Sequence, residues 1–153
     1  MSMKHSAVAG LVAVAAVILT GCGTAAPDEV PPATVTPIAG SQVARLQLTA
    51  QAIHRLGITT QPVRAAPTAK GKALAKTGVR EVIPYAAVVY DTDGSTWTYT
   101  NTAARTYVRQ PITIAAVQGD VAVLSAGPPV GTAVVTAGAA ELLGTEYDIS
   151  GEE

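Results

Sequence analysis

The hydrophobic pattern opens with an uninterrupted apolar run near the amino terminus. The run extends from Ala7 to Leu19 and follows a short positive start formed by Lys4 and His5. Its thirteen residues are typical of a secretory signal peptide and fall short of the roughly 20 that a membrane-spanning helix needs. We therefore predict a signal peptide over residues 1–21 and an exported mature chain.

A proline-rich stretch without apolar periodicity follows this leader. Residues 23–40 read GTAAPDEVPPATVTPIAG and contain four prolines. Such a composition is typical of a disordered, partly extended linker. The sequence therefore predicts a tether over residues 22–41 that separates a folded head from the end of the leader.

The head begins with signals for one strand and one short helix. Residues 45–48 alternate between polar and apolar side chains, which predicts a strand. Thr49 is a candidate N-cap for a helix from Ala50 to Leu56. Gly57 supplies the left-handed stop that commonly ends a helix.

From residue 79 onward the pattern changes to short strands separated by turn residues. The strand candidates are Val79–Tyr90, Ser95–Thr100, Thr106–Ala116, Val121–Ser125 and Thr132–Thr136. Strands at this spacing predict a mainly β fold over residues 42–149, a small antiparallel β-roll or barrel with one short helix. Glu141 to Gly144 are compatible with one helical turn, and residues 150–153 form an acidic tail.

The composition limits both the core and the choice of partners. The chain carries a formal net charge of −1, five Tyr, one Trp and no Phe. Nucleic-acid binding needs a clustered basic footprint, which this balance does not supply. In a chain without Phe, we favour the interpretation that five aromatic residues fill the core: Tyr85, Tyr90, Trp97, Tyr99 and Tyr107. The alternative is an exposed aromatic binding strip.

The only cysteine stands at the end of the apolar run. The segment Leu19-Thr20-Gly21-Cys22 has Leu three residues before the cysteine and a small residue directly before it, and it resembles the bacterial lipobox. The resemblance implies that Cys22 receives a diacylglyceryl group and becomes the first residue of the mature protein. Because two acyl chains hold a protein stably in a bilayer, the head is expected on the extracytoplasmic face of the membrane.

Five blocks in the second half of the chain carry a further resemblance. They are Ile83-Pro84-Tyr85-Ala86-Ala87-Val88, Trp97-Thr98-Tyr99, Tyr107-Val108-Arg109-Gln110-Pro111-Ile112, Gly119-Asp120-Val121-Ala122-Val123-Leu124-Ser125 and Gly131-Thr132-Ala133-Val134-Val135-Thr136-Ala137-Gly138. In order and spacing they resemble the C-terminal, membrane-proximal part of periplasmic adaptor proteins, also called membrane fusion proteins, of tripartite and ABC-type exporters. Residues 48–58 resemble the segment that opens the adaptor core.

This resemblance implies a β-domain that sits on the external surface of a transporter. In the family, a lipoyl-like domain and usually a long helical hairpin lie between the two matching regions. Here only Ala65 to Gly78 stand between them, and fourteen residues cannot contain either domain. We therefore expect a truncated adaptor-like module that forms no conduit.

Residue types for catalysis or metal binding are scarce in the predicted mature chain. His54 is its only histidine and reads as an exposed helical residue, whereas zinc sites need several His or Cys ligands. The segment Asp91-Thr92-Asp93-Gly94 carries part of a calcium-loop pattern. Asp and Gly are also the residues that a hairpin turn requires, and we favour the interpretation as a turn. We predict no catalytic residue, no metal site and no cofactor.

Two functions from different classes remain open at this stage. The first is a membrane-anchored interaction module that docks on an ABC-type or other exporter subunit, or on copies of itself. The alternative is an extracytoplasmic ligand-binding lipoprotein.

The segment between the two matching regions contains three lysines, Lys70, Lys72 and Lys76. These charges could attract acidic lipid headgroups. We favour the alternative, that they are ordinary charges of a solvated loop.

Overall fold

The computed structural model describes residues 30–66 and 80–150, with side chains described up to Asp148. In this part of the chain, neither helix is both long enough and apolar enough to cross a bilayer. The predicted lipobox from Leu19 to Cys22 lies outside the described residues, as do Lys70, Lys72 and Lys76.

Eleven strands and two helices make up the described chain. The strands are β1 (Ala33–Pro37), β2 (Ala44–Leu48), β3 (Thr59–Pro62), β4 (Arg64–Ala65), β5 (Glu81–Pro84), β6 (Val89–Tyr90), β7 (Thr96–Ala103), β8 (Thr106–Pro111), β9 (Thr113–Gln118), β10 (Val121–Ala126) and β11 (Ala133–Ala137). The helices are α1 (Ala50–Leu56) and α2 (Ala139–Ser150), and a 3₁₀ turn spans Tyr85–Ala87.

The strands form two sheets, and every strand pair in the described residues is antiparallel. The larger sheet has the order β1-β2-β8-β7-β11-β3, with β6 pairing to β7, and the smaller sheet has the order β4-β5-β10-β9. The predicted mainly β, antiparallel class is therefore confirmed, but the larger sheet is open and does not close into a barrel.

Two hydrophobic clusters hold these layers together. The first packs the larger sheet against the helices and contains Leu46, Leu48, Ala52, Val89, Tyr99, Tyr107, Val135, Ala139 and Leu142. The second joins residues of the two sheets and contains Val63, Ile83, Ala87, Ile112, Ala122, Leu124 and Val134. Because adjacent residues of β11 enter different clusters, this strand is buried on both faces and links the two parts of the core.

The first helix forms where local sequence signals predict it. The Thr49 hydroxyl accepts a hydrogen bond from the Ala52 backbone N–H at 3.1 Å, which satisfies a free donor of the first turn. Gly57 ends the helix in the left-handed region, at φ 62°. The short-range prediction of α1 is therefore confirmed at both of its ends.

Four predictions that depended on weaker patterns need correction, the first being the strand from Thr106 to Ala116, which is divided into β8 and β9 in different sheets. Ala33–Pro37 form a strand inside the stretch predicted as a disordered tether, because β1 pairs along its whole length with β2. The single turn predicted at Glu141 to Gly144 belongs to a helix of twelve residues, so the described chain has two helices. The strand predicted from Val79 to Tyr90 is broken by the 3₁₀ turn that follows Pro84.

Candidate functional site

A buried arginine forms the most highly connected polar cluster of the described chain. Arg109 lies on β8 and is only 4% exposed. It is paired in register with Tyr99 on β7, so the two side chains stand next to each other on the same face of the sheet. This is the face that packs against α2, because Tyr99 shares the first hydrophobic cluster with Leu142 of that helix.

The guanidinium of Arg109 contacts three separate segments. Its Nη1 lies 2.6 Å from Asp91 Oδ2 in the turn after β6, and its Nη2 donates to the Gln42 carbonyl at 3.2 Å. Its Nε lies 3.3 Å from Glu146 Oε1 on α2. The same group lies over the Trp97 ring, 4.6 Å from the ring centre, which adds a cation–π contact.

Glu146 is the buried anion of this cluster and is 3% exposed. Its Oε1 accepts from the Ala44 backbone N–H at 3.0 Å, and its Oε2 accepts from the Tyr99 hydroxyl at 2.5 Å. Burial, followed by the hydrogen bond to this carboxylate, raises the pKa of Tyr99 well above its usual 10.0. Glu146 therefore connects α2 to the strands β2, β7 and β8.

The outer edge of the cluster is formed by Asp91, which is half-buried, and Tyr147, which is exposed. The Tyr147 hydroxyl donates to Asp91 Oδ1 at 2.7 Å. This bond, with the Thr92 backbone N–H and Arg109, lowers the pKa of Asp91 below its usual 3.8. The carboxylates of Asp91 and Glu146 thus both face the Arg109 guanidinium. We call these three residues, together with Tyr99 and Tyr147, the Arg109 cluster. The cluster holds α2 on the sheet.

A second feature is a pair of exposed tyrosines beside a groove. Tyr85 is 40% exposed and Tyr90 is 53% exposed, and their hydroxyls form a hydrogen bond at 3.0 Å. This bond is the main reason why the pKa of Tyr90 is raised. The predicted burial of aromatic residues is confirmed for Tyr99 and Tyr107 but is wrong for these two, and Trp97 is partly buried against the first cluster.

The groove next to Tyr90 has a volume of about 380 Å³ and lies at the start of α2. We call it the tyrosine groove. Its described lining residues are Ala86, Val88, Val89, Tyr90, Thr136, Ala137, Gly138, Ala139, Ala140, Glu141 and Leu143. Glu141 is the one charged residue in this described lining, and Tyr90 is the one aromatic residue.

A third feature is a groove of about 530 Å³ between the two helices, here called the helix groove. Its apolar lining residues are Pro31, Pro32, Ala33, Leu48, Ala52 and Leu56. Arg55 on α1 and Asp148 on α2 add opposite charges to this lining, and Thr145 adds a hydroxyl. Pro32 is fixed at the wall because its carbonyl accepts from the Thr49 backbone N–H at 3.0 Å.

The residues considered from sequence for chemistry do not come together. His54 is exposed on α1. Asp91 to Gly94 form a turn, as predicted: the Gly94 N–H donates to the Asp91 carbonyl at 3.0 Å, and Gly94 has φ 83°. Across the described residues, no three His, Cys, Asp or Glu side chains are grouped as metal ligands.

Glu146 and the role of Arg109 were not predicted, although the sequence carries a signal for both. Tyr107 and Arg109 stand two residues apart on one strand face, and Leu142 and Glu146 stand four apart on one helix face. A charge at a core-facing position of each element indicates a buried ion pair.

In comparisons with known proteins, no family model, no curated protein and no solved structure matches the chain.

Proposed function

We propose that this protein is a membrane-anchored interaction module, held by lipid at Cys22, whose head docks on the extracytoplasmic part of a membrane transporter and catalyses nothing itself. The order of the blocks from Ile83 to Gly138 motivates this choice of partner, because it resembles the part of adaptor proteins that sits on a transporter. An anchor near residue 22 raises the effective concentration of the head at any membrane partner without a new contact.

The exposed pair of Tyr85 and Tyr90 is the observation that carries the proposal. Tyrosine is enriched at protein interfaces, because it buries a large rigid surface and keeps a polar tip. Next to the pair, Val121 is 37% exposed, and its strand partner Pro84 leads into the 3₁₀ turn. The Tyr85 backbone N–H donates to the Asp120 carbonyl at 2.7 Å, which fixes this surface to the turn between β9 and β10.

The Arg109 cluster supports a binding role for the head rather than a catalytic one. Its central cation faces two carboxylates at 2.6 and 3.3 Å and is almost fully buried. A general acid or base needs to reach the proton that it transfers. The ion pair between Arg109 and Glu146 therefore holds α2 on the sheet, and α2 in turn provides part of the lining of the tyrosine groove.

Photo-crosslinking in intact cells tests the docking proposal. A photoreactive residue at Asp93, in the turn three residues after Tyr90, is expected to capture subunits of a membrane transporter. The double substitution Tyr85→Ser and Tyr90→Ser should lower the yield, whereas Val130→Ser should not. Val130 is a matched control, because it is 50% exposed and precedes the start of β11, whereas the groove is lined by the end of that strand. Equal yields from all three proteins would contradict the proposal.

The anchor has its own test. The full chain carrying Cys22→Ser should lose fatty-acid labelling and leave the membrane fraction, or remain unprocessed. If the variant is labelled as well as the unmodified chain, the anchor part of the proposal is wrong.

The helix groove favours a second candidate, a lipoprotein that binds a small apolar ligand. A mainly apolar concavity of about 530 Å³ is within the size range of small-molecule sites. Organic extracts of the purified full chain should then contain a compound that is lost from a Leu56→Asp variant with unchanged circular dichroism. Identical extracts from the two proteins would count against this candidate.

A further inference from the structure

We propose that the tyrosine groove receives a lysine or arginine side chain of the docking partner, with Glu141 as its counter-charge and Tyr90 as its aromatic wall. This inference rests on the docking function proposed above and names the chemistry by which the partner is recognised.

The shape of the groove suits a long side chain with an apolar stem. Its volume of about 380 Å³ is bounded mostly by small residues, among them Ala86, Ala137, Gly138 and Ala140. Lysine and arginine lay their methylenes along such apolar surface and place only the charged end against polar groups. A groove with small walls and one charged wall is therefore complementary to this type of side chain.

The charge of the groove favours a cationic partner over an acidic or an apolar one. Glu141 is exposed in the free protein, and neither ion pair of the described residues includes it. A partner that covers the groove removes water from this carboxylate, and a buried carboxylate without a counter-charge is strongly destabilised. An acidic segment would add repulsion and an apolar segment would leave the carboxylate without a donor, so the groove favours a segment that brings a cation.

The field of α2 does not reverse this conclusion. Glu141 lies in the first turn of the helix, where the macrodipole is equivalent to roughly half a positive charge. That half-charge stabilises the ionised carboxylate but is smaller than its full negative charge. The groove therefore keeps a net negative character, which attracts a cation and repels an anion.

The aromatic wall adds a second contact for the same cation. Tyr90 lines the groove, and its hydroxyl is bonded to the Tyr85 hydroxyl at 3.0 Å, which holds the ring in place. A cation within about 6 Å of a ring face is attracted by the ring quadrupole, more strongly when water is excluded. Arg109 does not line this groove and is already paired with Asp91 and Glu146.

The experiment uses the full chain in intact cells, with a photoreactive residue at Ala86 or at Ala140, which are exposed lining residues of the groove. Adduct yield is compared between the unmodified protein, Glu141→Gln and Asp148→Asn. The last variant is the matched control, since Asp148 is an exposed carboxylate of the same helix outside the tyrosine groove. We expect Glu141→Gln to lower the yield about tenfold and Asp148→Asn to leave it unchanged.

Mass spectrometry of the adduct separates the outcomes. A captured partner peptide with Lys or Arg at the crosslink, together with the Glu141-dependent loss, supports the inference. Capture that is equal in Glu141→Gln, or a peptide without Lys or Arg, overturns the inference and leaves the docking function standing. No protein adduct from either position overturns both.

Discussion

Replacing Glu146 by alanine should destabilise the fold more than any other single loss of a charge on α2. Among the described residues, the substitution leaves Asp91 as the one counter-charge of the buried Arg109. It also removes the acceptor for the Tyr99 hydroxyl and for the Ala44 backbone N–H. Both of these donors are buried, and an unsatisfied buried donor costs about 1–3 kcal/mol.

The size of the effect follows from these three losses. Breaking a buried ion pair by removing one partner costs about 3–5 kcal/mol, which already includes part of the unsatisfied hydrogen bonding. Because the contributions overlap, we expect about 3–5 kcal/mol and not their sum. Against a total stability of about 5–15 kcal/mol for a small domain, this loss is a large fraction.

Urea unfolding of the full chain, followed by circular dichroism and by Trp97 fluorescence, measures this loss. Glu141→Ala is the control, because it removes the same charge from an exposed position of the same helix and should change the free energy of unfolding by about 0.5 kcal/mol or less. In the double variant with Arg109→Ala, the second change should cost less than it does alone, with a coupling above about 1 kcal/mol. If Glu146→Ala and Glu141→Ala lowered the free energy of unfolding equally, the role of the Arg109 cluster in holding α2 would be refuted.

Three further predictions concern single positions. Thr98 is fully buried, and within the described part of the chain its hydroxyl has no hydrogen-bond partner. Thr98→Val should therefore raise the free energy of unfolding by about 1 kcal/mol; a lower free energy of unfolding would show that the hydroxyl is satisfied. Gly138 has φ 83°, and an added Cβ would lie 2.7 Å from Ile58 Cγ1. Gly138→Ala should therefore lower the free energy of unfolding by about 2 kcal/mol in the same urea assay. Gly144 lies in open space within α2, so Gly144→Ala should raise it by about 0.5–1 kcal/mol. The opposite order of the two variants would contradict this prediction. The lowered pKa of Asp91 means that its stabilisation is present above the unfolded pKa of about 4 and is lost as the pH falls through its folded pKa. The difference in Tm between the unmodified chain and Asp91→Asn should thus be full at neutral pH and shrink in acid, and a difference independent of pH would argue against it.

Local signals were sufficient for α1 but not for the other helix. Thr49 and Gly57 specify the two ends of α1 through their own hydrogen bonding and dihedral angles, and these are readable from sequence. The second helix contains Gly144 and Thr145, which are weak helix formers. Its stability comes instead from tertiary packing of Leu142 and from the Glu146 hydrogen bonds to Tyr99 and Ala44, which join residues 47 and 102 positions apart.

The strand β1 and the exposed tyrosines were misread for a related reason. The proline content around Ala33–Pro37 correctly indicates extended backbone, but its pairing with β2 depends on a turn and on burial of Ala33 and Val35 against the core. For Tyr85 and Tyr90, the absence of Phe argued for burial. The 3₁₀ turn after Pro84 changes the direction of the chain, however, and puts both side chains at the surface.

The position of β11 constrains the order in which the protein folds. The strand joins β7 to β3 in the larger sheet, although Ala133 and its partner Pro62 are far apart in sequence. Pairings of such long range slow folding, because chain entropy is lost before any contact forms. Until the ribosome has released β11, the strand β3 lacks its only neighbour in the larger sheet of the described chain. A nascent chain that ends before Ala133 therefore lacks this part of the larger sheet, and β3 is expected to join the sheet only after β11 has been synthesised.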